Sequence, residues 1–356
     1  MTYATPHQDA LHVLARSLPT VRLGTIVRWV MLFGATSFIY LTMRDGWGEI
    51  RSSMAELVAN EIILVTSALL LEVAWTWALA QVYRSSLVAF GGRARHRDAL
   101  RVSMGAFTLS RVLPGGGTVG GLFAAKEFIA IGNSGALTLV SMVTAGWVSL
   151  VSLTAIVATG VGFGVAVGLV SPSYLILPLG VFGGLLGVGL AAVLAMRHRK
   201  SRQRVAAFLG RLFGGWGGGM TAPEVEATLE SAAGSGLVRL APVGFWAALS
   251  WILDAAALWL VFAAFGHPLS LGALAVGYGL ANLLQALPEM TPGWLGVLEG
   301  TLAVTYAAFG VPLGVAAVAV LGYRVLSFWL PVAAGVPFGL GILRKHGRRP
   351  ALEVAS

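Results

Sequence analysis

The chain has 356 residues, of which 57% are hydrophobic and only 11% are charged, and its mean hydropathy is +0.82. Globular domains carry about 25% charged residues, so this composition excludes a chain of soluble domains. The 47 glycines and 14 prolines lie within long apolar stretches, which membrane helices tolerate when neighbouring helices support them. The sequence therefore predicts an all-α polytopic membrane protein.

The residue types also exclude several kinds of chemistry. There is no cysteine, which rules out disulfides, thiolate metal sites and cysteine nucleophiles. The six histidines fall in polar or loop segments, and the sequence has no Ser/His pair, nucleotide-binding motif or metal-ligand spacing. The net charge of +9 is assigned to cytoplasmic loops, which collect Lys and Arg, rather than to nucleic-acid binding. We expect a protein that is not an enzyme and that uses no cofactor or metal.

Six apolar segments follow one another along the chain at a length that could span a membrane. A spanning helix needs about 20 such residues. Two further apolar regions, 102–131 and 271–309, are interrupted at their centres by proline and glycine. The six uninterrupted segments are residues 26–43, 61–83, 135–163, 174–196, 243–265 and 315–343.

The positions of Arg and Lys predict the orientation of these segments. The basic residues form four clusters, which the positive-inside rule places in the cytoplasm. If the region 102–131 crossed the membrane, the third cluster would lie outside, so we interpret this region as a re-entrant hairpin entered from the cytoplasm. Counting membrane crossings between the third and fourth clusters in the same way makes 271–309 a hairpin entered from outside. An arrangement of eight full spans is the alternative. The clusters lie within residues 16–28, 84–101, 197–211 and 344–349.

This arrangement predicts one membrane domain over residues 26–343, in the cytoplasmic (inner) membrane of a bacterium. A cytoplasmic segment, 1–25, precedes it and a cytoplasmic tail, 344–356, follows it. Its halves, 61–196 and 243–343, are joined by a basic cytoplasmic loop, 197–242. In this loop, helical spacing of apolar residues predicts an interfacial helix over 202–216. A second short helix is predicted to begin near the capping-box sequence Thr221-Ala-Pro-Glu224 and to end near residue 233.

The two interrupted regions look like copies of one another. Arg111-Val-Leu-Pro114 matches Gln285-Ala-Leu-Pro288 at an offset of 174 residues, and Gly132 matches Gly310 at an offset of 178. Together with the opposite orientations of the two hairpins, these matches predict an inverted-topology repeat. In such repeats, discontinuous helices meet near the middle of the membrane and form the substrate site.

Ionisable residues within the apolar regions are candidates for function, because each costs about 2.5 to 3.5 kcal/mol at the centre of a membrane helix. The alternative is that these charges pair with one another and hold the bundle together. Glu72 and Asp254 lie near the midpoints of their segments, and we interpret them as an intramembrane charge network. The full set is Glu72, Arg111, Lys126, Glu127, Asp254, Glu289, Glu299 and Arg324.

The glycine-rich turns are the second candidate feature. A helix that begins at such a turn directs its free N–H groups and its positive dipole end at the turn, which attracts phosphate. We expect helix starts near Thr118 and near Gly293, the second helix carrying Glu299. The predicted substrate-binding residues are Arg111, Gly115, Gly116, Gly117, Thr118, Glu289, Pro292, Gly293, Gly296, Glu299 and Arg324.

The second half resembles the flippase-like domain family, which includes the membrane domain of bacterial lysylphosphatidylglycerol synthetase/flippase proteins. Where related sequences often have an Arg that would match Arg324, this chain has Gly146. The resemblance covers most of the chain and is strongest over residues 251–343. It rests on Ala286-Leu-Pro-Glu-Met-Thr-Pro-Gly-Trp-Leu-Gly-Val-Leu-Glu299, Phe309-Gly-Val-Pro312, Gly322-Tyr-Arg324 and Phe328-Trp-Leu-Pro331.

The resemblance implies a flippase or transporter that moves an anionic or head-group-modified phospholipid between leaflets. The longest cytoplasmic segment has about 45 residues, so we expect no aminoacyltransferase domain in this polypeptide. A lipid-modifying enzyme would then be a separate partner. Two other functions fit the same residues: a proton- or ion-coupled transporter of a small solute, and a non-catalytic membrane partner of an envelope-lipid enzyme.

Overall fold

The computed structural model describes residues 61–112, 116–213, 221–234, 237–285 and 292–347. These residues are almost entirely helical, and no strand occurs among them. The helices are α1 (Ile62–Ala89), α2 (His96–Val112), α3 (Gly116–Ala130), α4 (Gly135–Ala166), α5 (Ile176–Arg197), α6 (Arg199–Phe213), α7 (Ala222–Gly234), α8 (Ala241–Ala264), α9 (Leu271–Leu284), α10 (Val297–Ala308), α11 (Leu313–Arg324) and α12 (Leu330–Gly347). One π-helical turn, Val325–Trp329, joins α11 to α12.

Five helical segments of the described chain are long and apolar enough to cross a membrane, and they confirm five of the six predicted spans. The sixth predicted span, 26–43, lies outside the described residues. The five segments are Ile62–Ala89, Gly135–Ala166, Pro172–Arg197, Val238–Ala264 and Leu313–Phe338.

The first of these helices continues six residues beyond its predicted end, because the polar residues there find partners. The Ser85 hydroxyl donates to the Gln81 carbonyl at 2.6 Å, and the Arg84 guanidinium donates to the Ala94 carbonyl at 3.1 Å. Hydropathy alone assigns polar residues such as these to a loop, but a helix can continue through them when their side chains are hydrogen-bonded.

Each interrupted region forms a pair of short helices, as predicted. Helices α2 and α3 have 17 and 15 residues, and α9 and α10 have 14 and 12. All four are shorter than the roughly 20 residues that a full crossing needs. Helix α2 begins six residues before the predicted hairpin, at His96.

The first helices of the two halves, α1 and α8, pack against each other along much of their length. Val82, near the end of α1, clusters with Val243 at the start of α8. Ala68, near the start of α1, belongs to the same apolar cluster as Val261, near the end of α8. The two helices are therefore antiparallel, and the two halves have inverted topology.

The first hairpin helix of each half packs on a helix of the other half. Helix α2 packs on α12, and α9 packs on α4. The Thr108 hydroxyl of α2 donates to the Val332 carbonyl of α12 at 3.2 Å, and Gly164 of α4 lies against Gly272 of α9. Small residues of this kind let membrane helices approach closely. The core is therefore shared by both halves.

The connecting elements lie outside this core. Helix α5 is a long apolar helix whose single buried residue is Pro178, so its surface is available to lipid. Helix α6 begins three residues earlier than predicted, and it packs on α7 with an Arg202–Glu230 ion pair at 3.1 Å. The Thr221 amide donates to the Glu224 carboxylate at 3.2 Å, which satisfies one half of the predicted capping box.

Candidate functional site

A cavity of about 370 Å³ lies in the centre of the bundle. Both halves contribute to its walls, through α1, α2 and α4 from the first half and α8 to α11 from the second. Its walls combine aromatic, amide and charged groups with aliphatic ones. The polar and aromatic lining residues are Trp75, Tyr83, Phe107, Arg111, Ser149, Ser250, Trp251, Asp254, Tyr278, Asn282, Gln285, Tyr323, Arg324 and Ser327.

Two equivalent positions of the repeat contact each other at the cavity. Arg111 and Gln285 are equivalent positions of the repeat, 174 residues apart, and the Arg111 guanidinium donates to the Gln285 side-chain oxygen at 3.0 Å. In a two-fold arrangement, a residue contacts its own equivalent only near the axis. Each half thus brings the end of its first hairpin helix to the same central point.

Arg111 presents its charge to this cavity from the last turn of α2. Its guanidinium carbon lies 5.2 Å from the centre of the Phe107 ring and 6.0 Å from that of Phe328, at distances typical of cation–π contacts. Gln285 is itself oriented by its donation to Asn282 at 2.8 Å. An anion in the cavity would therefore meet a guanidinium that aromatic rings and an amide hold in place.

The second arginine, Arg324, is engaged in a buried ion pair. Its Nε donates to the Glu299 carboxylate at 2.6 Å, and its Nη2 donates to the Gly293 carbonyl at 3.0 Å. The side chains of Arg324 and Glu299 are only 6% and 7% exposed. The Phe328 ring covers the guanidinium at 4.3 Å from its centre. Two of the predicted substrate-binding residues thus bind each other.

The start of α10 differs from the prediction. Pro292–Trp294 forms a short turn in which Gly293 has a φ of 60° and Trp294 a φ of 57°, and the helix begins only at Val297, after Gly296. The Gly296 amide donates to the Glu299 carboxylate at 2.6 Å. Because Glu299 already occupies this helix start, it fills the place that the sequence assigned to a phosphate.

The turn before α10 is fixed by close packing. A side chain at Gly293 would meet the Phe328 ring, and it would lie near the Arg111 carbonyl at 3.5 Å. Phe328 belongs to the π-helical turn that follows Arg324, and such turns often mark functional sites. This turn brings one aromatic ring against both arginines and the glycine.

The two carboxylates of the predicted charge network also lie together. Glu72 is 2% exposed and Asp254 is 8% exposed, and their carboxyl groups interact across the α1–α8 contact. Asp254 accepts hydrogen bonds from the hydroxyls of Tyr278, at 2.6 Å, and Tyr323, at 2.5 Å. Of the four side chains, all except Glu72 line the cavity.

The first glycine-rich turn is only partly within the described residues. Gly115 and the second-half residue Glu289 lie outside them, and Gly116 is the first residue of α3. Gly117 and Thr118 are exposed. None of the described residues of α3 lines the cavity, so the described part of the predicted first phosphate site lies away from it.

Most of the polar and aromatic lining residues were not candidates from the sequence, and Tyr278, Tyr323 and Asn282 are among them. Tyr278 and Tyr323 are apolar-looking aromatic residues within membrane helices, and Asn282 is a single amide in such a helix. Tyr323 stands beside Arg324 in the quoted motif, and Tyr278 is flanked by Gly277 and Gly279. The available signal was a tyrosine next to glycine within a membrane helix, because a buried tyrosine hydroxyl needs a hydrogen-bond partner.

Comparison with known proteins places the chain in a family. The profile of the lysylphosphatidylglycerol synthase transmembrane region matches residues 26–335. The chain belongs to this family. It is therefore a multi-pass membrane protein of a family related to membrane lipids, as the resemblance in the second half implied.

Relatives are found among archaeal membrane proteins. A UPF0104 membrane protein of Methanothermobacter thermautotrophicus is 39% identical over 100 residues, which cover 28% of each chain. A UPF0104 membrane protein of Methanocaldococcus jannaschii is 30% identical over 91 residues, covering 26% of this chain and 27% of the relative. The matches thus span under a third of these relatives' length.

Proposed function

We propose that this protein moves an anionic or head-group-modified phospholipid between the leaflets of the cytoplasmic membrane. The observation that carries the proposal is a central cavity that holds the Arg111 guanidinium within a bundle of apolar helices. Membership of a family named for a lipid synthase supports a lipid as the substrate class.

The size of the cavity favours a head group as its occupant. A volume of about 370 Å³ lies near the lower end of the roughly 300 to 1,000 Å³ typical of small-molecule sites. A phosphate with its head group fits such a space, whereas two acyl chains do not. The acyl chains would therefore remain in the bilayer while the head group passes through the protein.

Arg111 is the residue to which we assign the phosphate. Its guanidinium faces the cavity, whereas Arg324 is committed to Glu299 and to the Gly293 carbonyl. Trp75 and Trp251 provide apolar walls for the glycerol region of the lipid. In this role Arg111 offers two or more N–H donors to one phosphate, which is the geometry that guanidinium groups favour.

The direct test is reconstitution into vesicles with a fluorescent anionic phospholipid, whose outer-leaflet copies are bleached by a membrane-impermeant reductant. We expect the wild type to expose inner-leaflet lipid faster than empty vesicles do. Arg111→Ala should slow this exchange at least tenfold, and Arg111→Lys should slow it less, because the charge is kept. Arg101→Ala removes an exposed arginine of the same helix and serves as the matched control.

A free anionic solute is the second candidate substrate, because helices of both halves surround the cavity and its volume suits a small molecule. Uptake of radiolabelled glycerol phosphate into the same vesicles separates the two. Uptake that depends on Arg111, without lipid exchange, would assign the cavity to a solute. If neither substrate moves faster than in empty vesicles, the transport proposal fails for both.

A further inference from the structure

The centre of the bundle holds an acidic pair that head-group binding does not use. Glu72 lies on α1 and Asp254 on α8, the two antiparallel helices that pack against each other. Both side chains are more than nine-tenths buried. Two carboxyl groups placed together in an apolar bundle require a specific arrangement of protons, because neither can be solvated by water.

The hydrogen bonds of the pair are unequal. Asp254 accepts one hydroxyl hydrogen bond on each oxygen, from Tyr278 and from Tyr323. Neither oxygen of Glu72 meets an N–H or O–H donor among the described side and main chains, and the polar group that faces it is the Asp254 carboxyl. The two carboxyl groups are therefore not equivalent, because Asp254 has a hydroxyl donor on each oxygen and Glu72 has none among the described residues.

The charged and titratable groups around the pair come from several helices. Tyr278 is on α9 and Tyr323 on α11, and the positive charge of Arg111 on α2 also acts on Asp254. Arg324 is neutralised locally by Glu299. Among the described residues around the pair, the positive charge of Arg111 balances one ionised carboxylate, and Arg324 is already paired. In the empty cavity the pair therefore carries one proton.

We propose that the Glu72–Asp254 pair keeps one proton on Glu72 and binds a second on Asp254, and that this second proton reaches Asp254 through the cavity and is transported together with the anionic head group. This inference rests on the proposed lipid movement for its coupling, while proton binding itself is independent of it. Glu72 donates a hydrogen bond to Asp254, and Asp254 with its two tyrosines links the pair to the cavity.

The coupling follows from the shared use of Arg111. In the empty cavity, the charge of Arg111 acts on the Asp254 carboxylate. A phosphate bound to Arg111 neutralises that charge, so Asp254 then binds one further proton. By thermodynamic linkage, the proton favours phosphate binding to the same extent. Movement of both together transfers no net charge through the apolar centre, where an unpaired charge is costly.

The surroundings of the pair favour a proton over a sodium ion. A metal cation needs several oxygen atoms that offer lone pairs. The two tyrosine hydroxyls direct their hydrogen atoms at the Asp254 carboxylate, so a metal cation at that carboxylate would meet these hydrogens. A proton needs only one carboxyl oxygen.

The first test measures the proton directly in the purified protein. Infrared spectroscopy detects the carbonyl stretch of a protonated carboxylic acid, and this band shifts when the sample is transferred to deuterium oxide. We expect the wild type at neutral pH to show one such buried band. Glu72→Gln should remove it, and Glu61→Gln, at the start of the same helix, should not. Absence of the band from the wild type, or its persistence in Glu72→Gln, would overturn the proposal.

The second test measures coupling in vesicles with a pH gradient, while valinomycin and potassium clamp the membrane potential. For one proton per lipid, a gradient of one pH unit supports a leaflet asymmetry of about tenfold. We expect the wild type to approach this asymmetry, and Asp254→Asn to give a ratio near one.

The outcomes of the second test separate the two proposals. Lipid exchange by the wild type without asymmetry, or asymmetry that follows a sodium gradient instead, would overturn proton coupling while the flippase function stands. Asymmetry that Asp254→Asn retains would assign the transported proton to another group. If the wild type moves no lipid at all, the proposed function fails for that lipid, and the infrared band still decides whether the pair binds a proton.

Discussion

The two hairpins have the same plan but differ in how their helices are held together. In the first, α2 and α3 are closely packed, because Gly120 lies where a side chain would come within 2.5 Å of the Ala106 carbonyl oxygen. In the second, the equivalent position, 178 residues later, is Leu298, which is buried and lines the cavity. Helices α9 and α10 are thereby kept further apart.

The ion pair shows the same asymmetry. At the offset of 178 residues that relates Gly132 to Gly310, Glu299 corresponds to Gly121. At the same offset, Arg324 corresponds to Gly146. The first half therefore lacks both partners of the pair. A side chain at Gly146 would meet no atom within 4 Å, and Gly146 lines the cavity.

The difference explains how a symmetric scaffold can contain one asymmetric site. The second half uses its arginine and glutamate to fix α10 to α11. The first half packs its hairpin through glycine and leaves space at Gly146, so that Arg111 is the cation it directs to the cavity. The second half thus uses its charges for structure, and the first half contributes the arginine to which we assign the phosphate.

Breaking the ion pair of the second half should have the largest effect. Arg324→Ala leaves Glu299 buried without its cationic partner, and such losses cost about 3 to 5 kcal/mol. We expect a matching decrease in unfolding free energy, measured by denaturant titration in detergent. Replacing both residues together, as Glu299→Leu with Arg324→Met, should recover most of the loss. A single variant as stable as the wild type would show that the pair does not hold α10.

Disturbing the close packing of the first hairpin should have the next largest effect. Gly120→Ala places a methyl group against the backbone of α2, and overpacking of this kind costs about 1 to 3 kcal/mol. The same titration measures it. Gly117→Ala, on the same helix in open space, is the control. Equal stability of the two variants would contradict close packing of α2 on α3.

Restoring the missing arginine of the first half should affect movement of lipid more than stability. Gly146→Arg fills the cavity beside Arg111, and we expect lipid exchange in vesicles to fall about tenfold, a difference of about 1.4 kcal/mol. Gly146→Ala leaves most of the space open and should retain exchange. If Gly146→Arg exchanges lipid at the wild-type rate, the head group does not pass this point.

The smallest expected effect concerns the looser helix of the second hairpin. Gly300 lies within α10, and a side chain there would meet no atom within 4 Å. Gly300→Ala should therefore raise the unfolding free energy by about 0.5 to 1 kcal/mol, because alanine restricts the unfolded chain. A decrease instead would show that α10 packs as closely as α3 does.

The architecture could be predicted from local features of the sequence. Hydropathy identified the five described spans, and the interruption by proline and glycine identified both hairpins. Gly132 and Gly310, matched by sequence alone, both follow a hairpin and both have positive φ, 102° and 93°. Hydropathy and helix-breaking residues are local features of the sequence, recognised within a short window, so they do not depend on contacts with distant parts of the chain.

The site could be predicted only in part. Of the residues singled out from the sequence, Arg111, Asp254 and Arg324 line the cavity, whereas α10 begins four residues later than expected and its first turn is occupied by Glu299. The positive φ values of Gly293 and Trp294 delay the start of α10, and the residue types alone do not reveal this backbone conformation.

The sequence by itself determined three things: that this chain belongs in a membrane, at which residues its helices are interrupted, and that its halves are inverted copies. These follow from the sequence because the energy of burying charge in lipid depends on residue type and on position along the chain. Only the tertiary structure decided which charges pair. Glu299 with Arg324, and Glu72 with Asp254, are brought together by contacts between distant segments. A buried charge is stabilised by the group that faces it, and that group is fixed by packing.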